Sequence, residues 1–197
     1  MACNQCTKNA VYKCSVCGQL LCAQDTQFRT VCEKCVRRER IDYTIGKTSE
    51  KERESIRKLI RNFWGEDEQL TFNRQFTVAE LPGFVAKLKS KTLGFISTAD
   101  AGNAKIIVAL GVLPDYQGCG IGKSLILKLQ DEAVRENKKM LLVSTSNDDL
   151  PALGFYQSLG FQIYEVKPDV IAKKHGKIFN GIGNLPIRDE LRLRKKL

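Results

Sequence analysis

No stretch of these 197 residues approaches the roughly 20 apolar positions of a membrane-crossing helix, and the opening MACNQC lacks the charged and apolar regions of a signal peptide. Both absences point to a protein kept in the cytoplasm. Histidine occurs once, as His175 inside the polar run 173–177, where a mobile loop residue is expected rather than a base. After residue 35 cysteine also occurs once, as Cys119. The formal charge is +10, yet no stripe of basic residues interleaved with aromatics accompanies it. The concentrations at Arg37, Arg38 and Arg40 and at Arg192, Arg194, Lys195 and Lys196 therefore read first as a solvated basic surface that suits a polyanionic ligand. Nucleic acid is allowed by this charge but not required.

What cysteine there is crowds into the start. Cys3, Cys6, Cys14, Cys17, Cys22, Cys32 and Cys35 include three C-x2-C pairs, and Asp25 follows Cys22 with two residues between. Seven thiols cannot all pair with one another, and in a reducing compartment C-x2-C spacing is a zinc signal. With Asp25 the donors number eight, enough for two tetrahedral sites filled by protein and therefore structural. An interleaved arrangement is expected, with Cys3, Cys6, Cys22 and Asp25 on one ion and Cys14, Cys17, Cys32 and Cys35 on the other. The alternative for Asp25 is a turn carboxylate beside a single four-cysteine site. The spacing resembles B-box and AN1-type cross-braced fingers, although cysteines stand where the last pair in those modules is often histidine. That resemblance implies protein contact rather than chemistry. Residues 1–38 are thus expected to form a small zinc-binding domain, and 41–197 a separate larger one.

In the larger part, Ser49 and Glu52 make an S-x-x-E capping box ahead of Ile56, Leu59, Ile60, Phe63 and Trp64, an apolar stripe at helical spacing that reads as a core face. Strands are expected at 43–47, 84–88, 93–98 and 106–112, with a turn at 99–104. A helix carrying Leu125, Ile126, Leu129, Ala133 and Val134 follows, then a strand at 140–143, a helix at 147–159, a strand at 161–166, and 191–193 as a closing strand. This order means a mixed α/β sheet.

Between the 106–112 strand and the next helix lies the segment VLPDYQGCGIGKS. A glycine-rich loop running into a helix gathers backbone N–H groups over the positive helix end and suits a pyrophosphate. It completes neither common nucleotide loop: the G-x4-G-K-[ST] pattern needs glycine where Gln117 stands, and G-x-G-x-x-G needs it where Lys123 stands. What remains, Q-x-x-G-x-G from Gln117 to Gly122, resembles the acyl-CoA signature of the GNAT family of N-acetyltransferases, [RQ]-x-x-G-x-[GA]. The stretch NDDLPALGFYQSLGF resembles that family's next segment, N-x-x-A-x-x-F-Y-x-x-x-G-F, with the asparagine two places early relative to Ala152.

The resemblance implies a mixed, mainly antiparallel GNAT-type sheet with flanking helices, here preceded by the zinc module, and acetyl-CoA as acetyl donor. It implies that the backbone of Leu110, Gly111 and Val112 pairs with the pantetheine arm. N–H groups of Gln117, Gly118, Cys119, Gly120, Ile121, Gly122 and Lys123 would hold the pyrophosphate, Asn147 would contact the CoA arm, and Tyr156 would protonate the departing thiolate. A tyrosine beside sulfur fits general-acid work, and holding the thioester next to the amine supplies much of the rate. Cys119, facing phosphates, is badly placed as a nucleophile, so direct transfer is expected. No glutamate stands near Lys105 and Ile106, where many members place a base; Asp149, Asp189, Glu190 or water are the alternatives. The stretch 179–186 is expected to wall the acceptor site. The reading is an N-acetyltransferase acting on a primary amine, with a protein lysine or N-terminus brought by the finger as leading acceptor; small amines, polyamines and aminoglycosides included, and RNA bases stay open. Its rival is a zinc-dependent adaptor whose idle acetyltransferase fold senses CoA.

Overall fold

The computed structural model describes residues 41–197, together with the strand residues β1 (Tyr12–Lys13) and β2 (Leu20–Leu21), which pair antiparallel. The expected zinc ligands Cys3, Cys6, Cys14, Cys17, Cys22, Asp25, Cys32 and Cys35 lie outside the described residues. Backbone contacts divide the chain into Met1–Asp42 with Gly118–Gly120, and a larger unit of Tyr43–Gln117 with Ile121–Leu197. No helix among the described residues is long and apolar enough to cross a membrane.

The larger unit is built on seven strands in the order β10-β13-β9-β8-β7-β6-β3. In sequence they are β3 (Thr44–Lys47), β6 (Gly83–Leu88), β7 (Lys91–Ala101), β8 (Ala104–Val112), β9 (Met140–Ser146), β10 (Gln162–Lys167) and β13 (Glu190–Lys196). Every neighbouring pair is antiparallel except β8 and β9, which are parallel. The mixed, mainly antiparallel sheet with flanking helices is therefore as expected. The strands run longer than their apolar cores suggest, because polar ends continue the ladders: β7 and β8 meet at a two-residue turn, Gly102 and Asn103, with Gly102 at φ 60°.

Helix α1 (Glu50–Trp64) starts at the capping box, where Ser49 N donates to Glu52 Oε2 at 3.0 Å, and stops at Gly65 in the left-handed region. Its Ile56, Leu59 and Ile60 pack with Val85, Phe95 and Ala109 of the sheet. Phe84 and Ile96, the alternate residues on the same strands, are buried as well, since α2 (Ile121–Arg135) packs on β6, β7 and β8. The helical stripe read as core is core only in its first three members. Phe63 is partly buried and Trp64 is 41% exposed, because the end of α1 borders a cavity.

Candidate functional site

The register of β8 and β9 opens a cleft. They pair only at Ala104↔Met140, Lys105↔Leu141, Ile106↔Leu142 and Ile107↔Val143, although β8 runs on to Val112 and β9 to Ser146. A bulge causes the parting: on β7, Ser97 pairs with Ala109 and Thr98 with Ile107, so Val108 is an extra residue in β8 and bends it. Each strand stays paired on its far side, β8 to β7 through Val112 and β9 to β13 through Ser146. The facing edges beyond Ile107 and Val143 are therefore held apart with no partner strand between them.

A cavity of about 440 Å³ fills this wedge, within the range of ligand sites. Residues 107–110 and 143–146 form its two arms, and Asp149, Ala152 and Tyr156 reach it from α3 (Leu150–Ser158). Of the residues expected to bind cofactor, Leu110 lines the cavity, and Gly111 and Val112 continue the same strand edge. Gln117, Gly118, Cys119, Gly120, Ile121, Gly122 and Lys123 do not line it; the first four form the connection into α2 and the last three its first turn. In that connection Gly118 and Gly120 take φ 84° and 82°, which side chains rarely adopt, and α2 begins directly afterwards at Ile121. Gln117 Nε2 donates to the Val112 carbonyl at 2.9 Å, fastening the start of the loop to the end of β8. A Cβ on Gly122 would stand 3.2 Å from the Phe155 ring, so the bare backbone there lets α2 and α3 approach. These features, a bent strand edge, left-handed glycines and a helix N-terminus, fit an acyl-CoA.

Tyr156 is 6% exposed and its ring packs edge-on against Phe155 and Phe161. Burial, and then the Asp149 charge, push its hydroxyl above the ordinary phenol range, so it keeps its proton at neutral pH. Asn147 is turned away from the cavity. Its Nδ2 donates to the Pro186 carbonyl at 2.7 Å, and its Oδ1 accepts from Arg188 N at 2.9 Å and Asp189 N at 2.8 Å. The residue of that run that faces the cavity is Asp149, three before Ala152, whose N–H it caps at 3.0 Å. Burial raises the Asp149 carboxyl. Asp189 is held low by Arg188, and by the Asp169 N–H after it, and does not line the cavity.

The opposite half of the cleft comes from elements with weak sequence signals. The hairpin β4 (Glu68–Thr71) and β5 (Arg74–Thr77) turns at Phe72 and Asn73, both with positive φ. It is anchored by Thr71 Oγ1 to Ser144 Oγ at 2.6 Å and by Phe72 N to Glu190 Oε1 at 3.0 Å. Arg192, 7% exposed, grips Glu190, Glu165 and Asn73 and stacks over the Phe72 ring. Short helix α4 (Val170–His175) supplies Val170, Ile171, Lys174 and His175. His175, expected in a loop, ends this helix, with its ring edge-on to Phe179 at 5.7 Å. The stretch 179–186, expected to wall this side, forms β11 (Phe179–Asn180) and the start of β12 (Pro186–Ile187); none of its residues lines the cavity, which is reached only by Ile187 just past it. A warning was present in PDV and HG, a turn cue before 170–175 and a stop after it. The hairpin offered only Asn73.

Residues 79–163 match the family model described as an acetyltransferase (GNAT) domain. Among curated proteins, the L-amino acid N-acyltransferase MnaT of Escherichia coli (strain K12) is 27% identical over 112 residues, covering 54% of this chain and 65% of that one. Among solved structures, an IAA acetyltransferase from Bacillus cereus ATCC 14579 superposes with a TM-score of 0.66 at 23% identity, covering 79% of this chain and all of the other (100%). The structure of yncA, a putative acetyltransferase from Salmonella typhimurium with its cofactor acetyl-CoA, gives 0.59 at 19% identity, covering 79% and 94%. The structural likenesses establish the fold.

Replacing Asn147 by alanine removes three hydrogen bonds that hold the 186–189 strand approach. Urea unfolding of Asn147→Ala is expected to show a loss of about 1 to 2 kcal/mol, with acetyl-CoA affinity kept; an unchanged midpoint and weakened acetyl-CoA binding would instead make Asn147 a ligand contact.

Proposed function

We propose that the chain carries a GNAT acetyltransferase domain and transfers acetyl from acetyl-CoA directly to a primary amine. The observation that carries this reading is the wedge between β8 and β9, with a protonated tyrosine in its wall and a glycine loop leading from the end of β8 into α2.

In this reading Leu110, Gly111 and Val112 present strand-edge N–H and C=O groups to the pantetheine arm, whose amides need such partners. N–H groups of Gly118, Cys119, Gly120, Ile121, Gly122 and Lys123 hold the pyrophosphate, aided by the α2 dipole and the Lys123 charge, while the Gln117 N–H, donated to the Pro114 carbonyl at 3.2 Å, shapes the loop. Asp149, capping α3 beside the cavity, takes the place on the CoA arm for which Asn147 is the sequence candidate. Transfer forms one C–N bond and breaks one C–S bond; the amine gives up a proton and the departing sulfur gains one. Tyr156 donates to that sulfur. A thiol has a pKa of about 8.5, so complete proton transfer from a phenol held above its ordinary range runs uphill. Its main service is a hydrogen bond that strengthens as negative charge builds on sulfur. Of the three candidate carboxylates for the amine proton, Asp149 is favoured: it borders the cavity and burial raises its proton affinity, whereas Arg192 occupies Glu190 and Arg188 occupies Asp189.

The finer reading of residues 1–38 rests on cysteine spacing: two structural zinc ions, and a finger that brings a protein lysine or N-terminus to the cleft. Elemental analysis of the full chain is expected to find close to two zinc ions per molecule, and one or none contradicts the eight-ligand assignment. For the cleft, Tyr156→Phe is expected to keep acetyl-CoA binding and lower kcat by about 100-fold or more. Unchanged turnover would remove Tyr156 from the chemistry, and absence of turnover in the parent chain would favour the CoA-sensing adaptor.

A further inference from the structure

The acceptor half of the cleft already holds a primary amine, and it belongs to the chain itself. Lys174 Nζ on α4 lies 2.7 Å from Glu66 Oε1, just beyond the end of α1, and both residues line the cavity. Their side chains are 28% and 44% exposed, a setting in which an ion pair adds little net stability and one ammonium replaces another at little cost. Trp64, 41% exposed, lines the cavity two residues before Glu66. A carboxylate that already holds one alkylammonium group at a half-open position suits another.

The rest of the lining agrees with a cationic rather than a carboxylate-bearing acceptor. Among the described residues that line the cavity there is no arginine, and the one lysine is engaged with Glu66. A free carboxylate on the acceptor would meet Glu66, Asp149 and Glu190 without a guanidinium to receive it. Leu70, Val170 and Ile171, in the same lining, offer apolar surface for a methylene chain.

We propose that Glu66 forms a subsite for a second ammonium of the acceptor, so that the preferred substrate is an aliphatic diamine or polyamine, and that Lys174 occupies this subsite until the acceptor displaces it. This rests on the acetyl-transfer reading and puts a small polyvalent amine in place of a protein lysine or N-terminus as the acceptor. Lys174 then acts as a built-in competitor, and removing it should raise apparent acceptor affinity in the way that removing any self-occluded state does.

Trp64 is the chain's only tryptophan, so its fluorescence reports on the subsite without turnover. The full chain, without acetyl-CoA, is titrated with cadaverine, spermidine and n-pentylamine. The two polyvalent amines are expected to saturate the signal at concentrations at least about tenfold below n-pentylamine. Lys174→Ala is expected to tighten their binding about threefold or more, and Glu66→Gln to erase the preference over n-pentylamine. Equal affinities for mono- and diamine, a preference that survives Glu66→Gln, weaker diamine binding in Lys174→Ala, or no saturable signal from any of the three amines overturns the proposal. Calorimetric titration with acetyl-CoA separates the two levels: retained binding with no diamine preference removes the subsite alone, and loss of acetyl-CoA binding removes the acetyl-transfer reading beneath it.

Discussion

One extra residue in one strand organises this molecule. Val108 has no counterpart on β7, so β8 bends where its pairing with β9 would otherwise continue, and the parallel ladder ends at Ile107↔Val143. A sheet normally cannot leave two interior strand edges open, because unpaired buried N–H and C=O groups cost about 1 to 3 kcal/mol each. Here each strand is secured on its other side by a long antiparallel ladder. The wedge is thus a stable feature of the sheet, and a ligand with amides along its length is the natural partner of its edges. The same bend carries β8 toward the Leu113 turn, Gln117 and the glycines that precede α2.

The acceptor side depends on a buried charge pair. Glu190, 4% exposed, accepts from the Phe72 N–H, and Arg192 holds both Glu190 and Asn73, so the hairpin is tied to β13 rather than merely resting on it. Removing one partner would leave a buried charge uncompensated, at about 3 to 5 kcal/mol. Carboxylates in this cleft therefore divide by environment. Glu190 is committed to holding the wall, Glu66 sits with an exchangeable lysine, and Asp149 is the one that burial makes more basic.

Much of this arrangement was legible in the sequence, for physical reasons that differ by element. The capping box with Ile56, Leu59 and Ile60, the meander of β6 to β8, and the glycine loop all carry strong local signals, but the closing strand expected at 191–193 lies inside the sheet, between β9 and β10. Trp64 was misread as core, since helical spacing shows which face a ring is on but not whether anything covers the helix end. The strand β13 was seen only at its leucines: ELRLRKK reads as a solvated run, and Glu190 and Arg192 are buried because each completes the other. Asn147 was singled out by motif position, yet its amide matches the donors and acceptor of the 186–189 backbone, leaving the cavity to Asp149. The β4–β5 hairpin and six-residue α4 have too few apolar residues to show a period, and they form much of one cleft wall.

Hydrogen exchange of the full chain with and without acetyl-CoA tests most directly whether the open strand edges seat the cofactor. Acetyl-CoA is expected to slow exchange at 108–112 and at 117–123 while leaving β3 and the α1 core unchanged. Slowing confined to other segments, or none at 108–112 when the ligand is saturating, would contradict the wedge between β8 and β9 as the acetyl-CoA site.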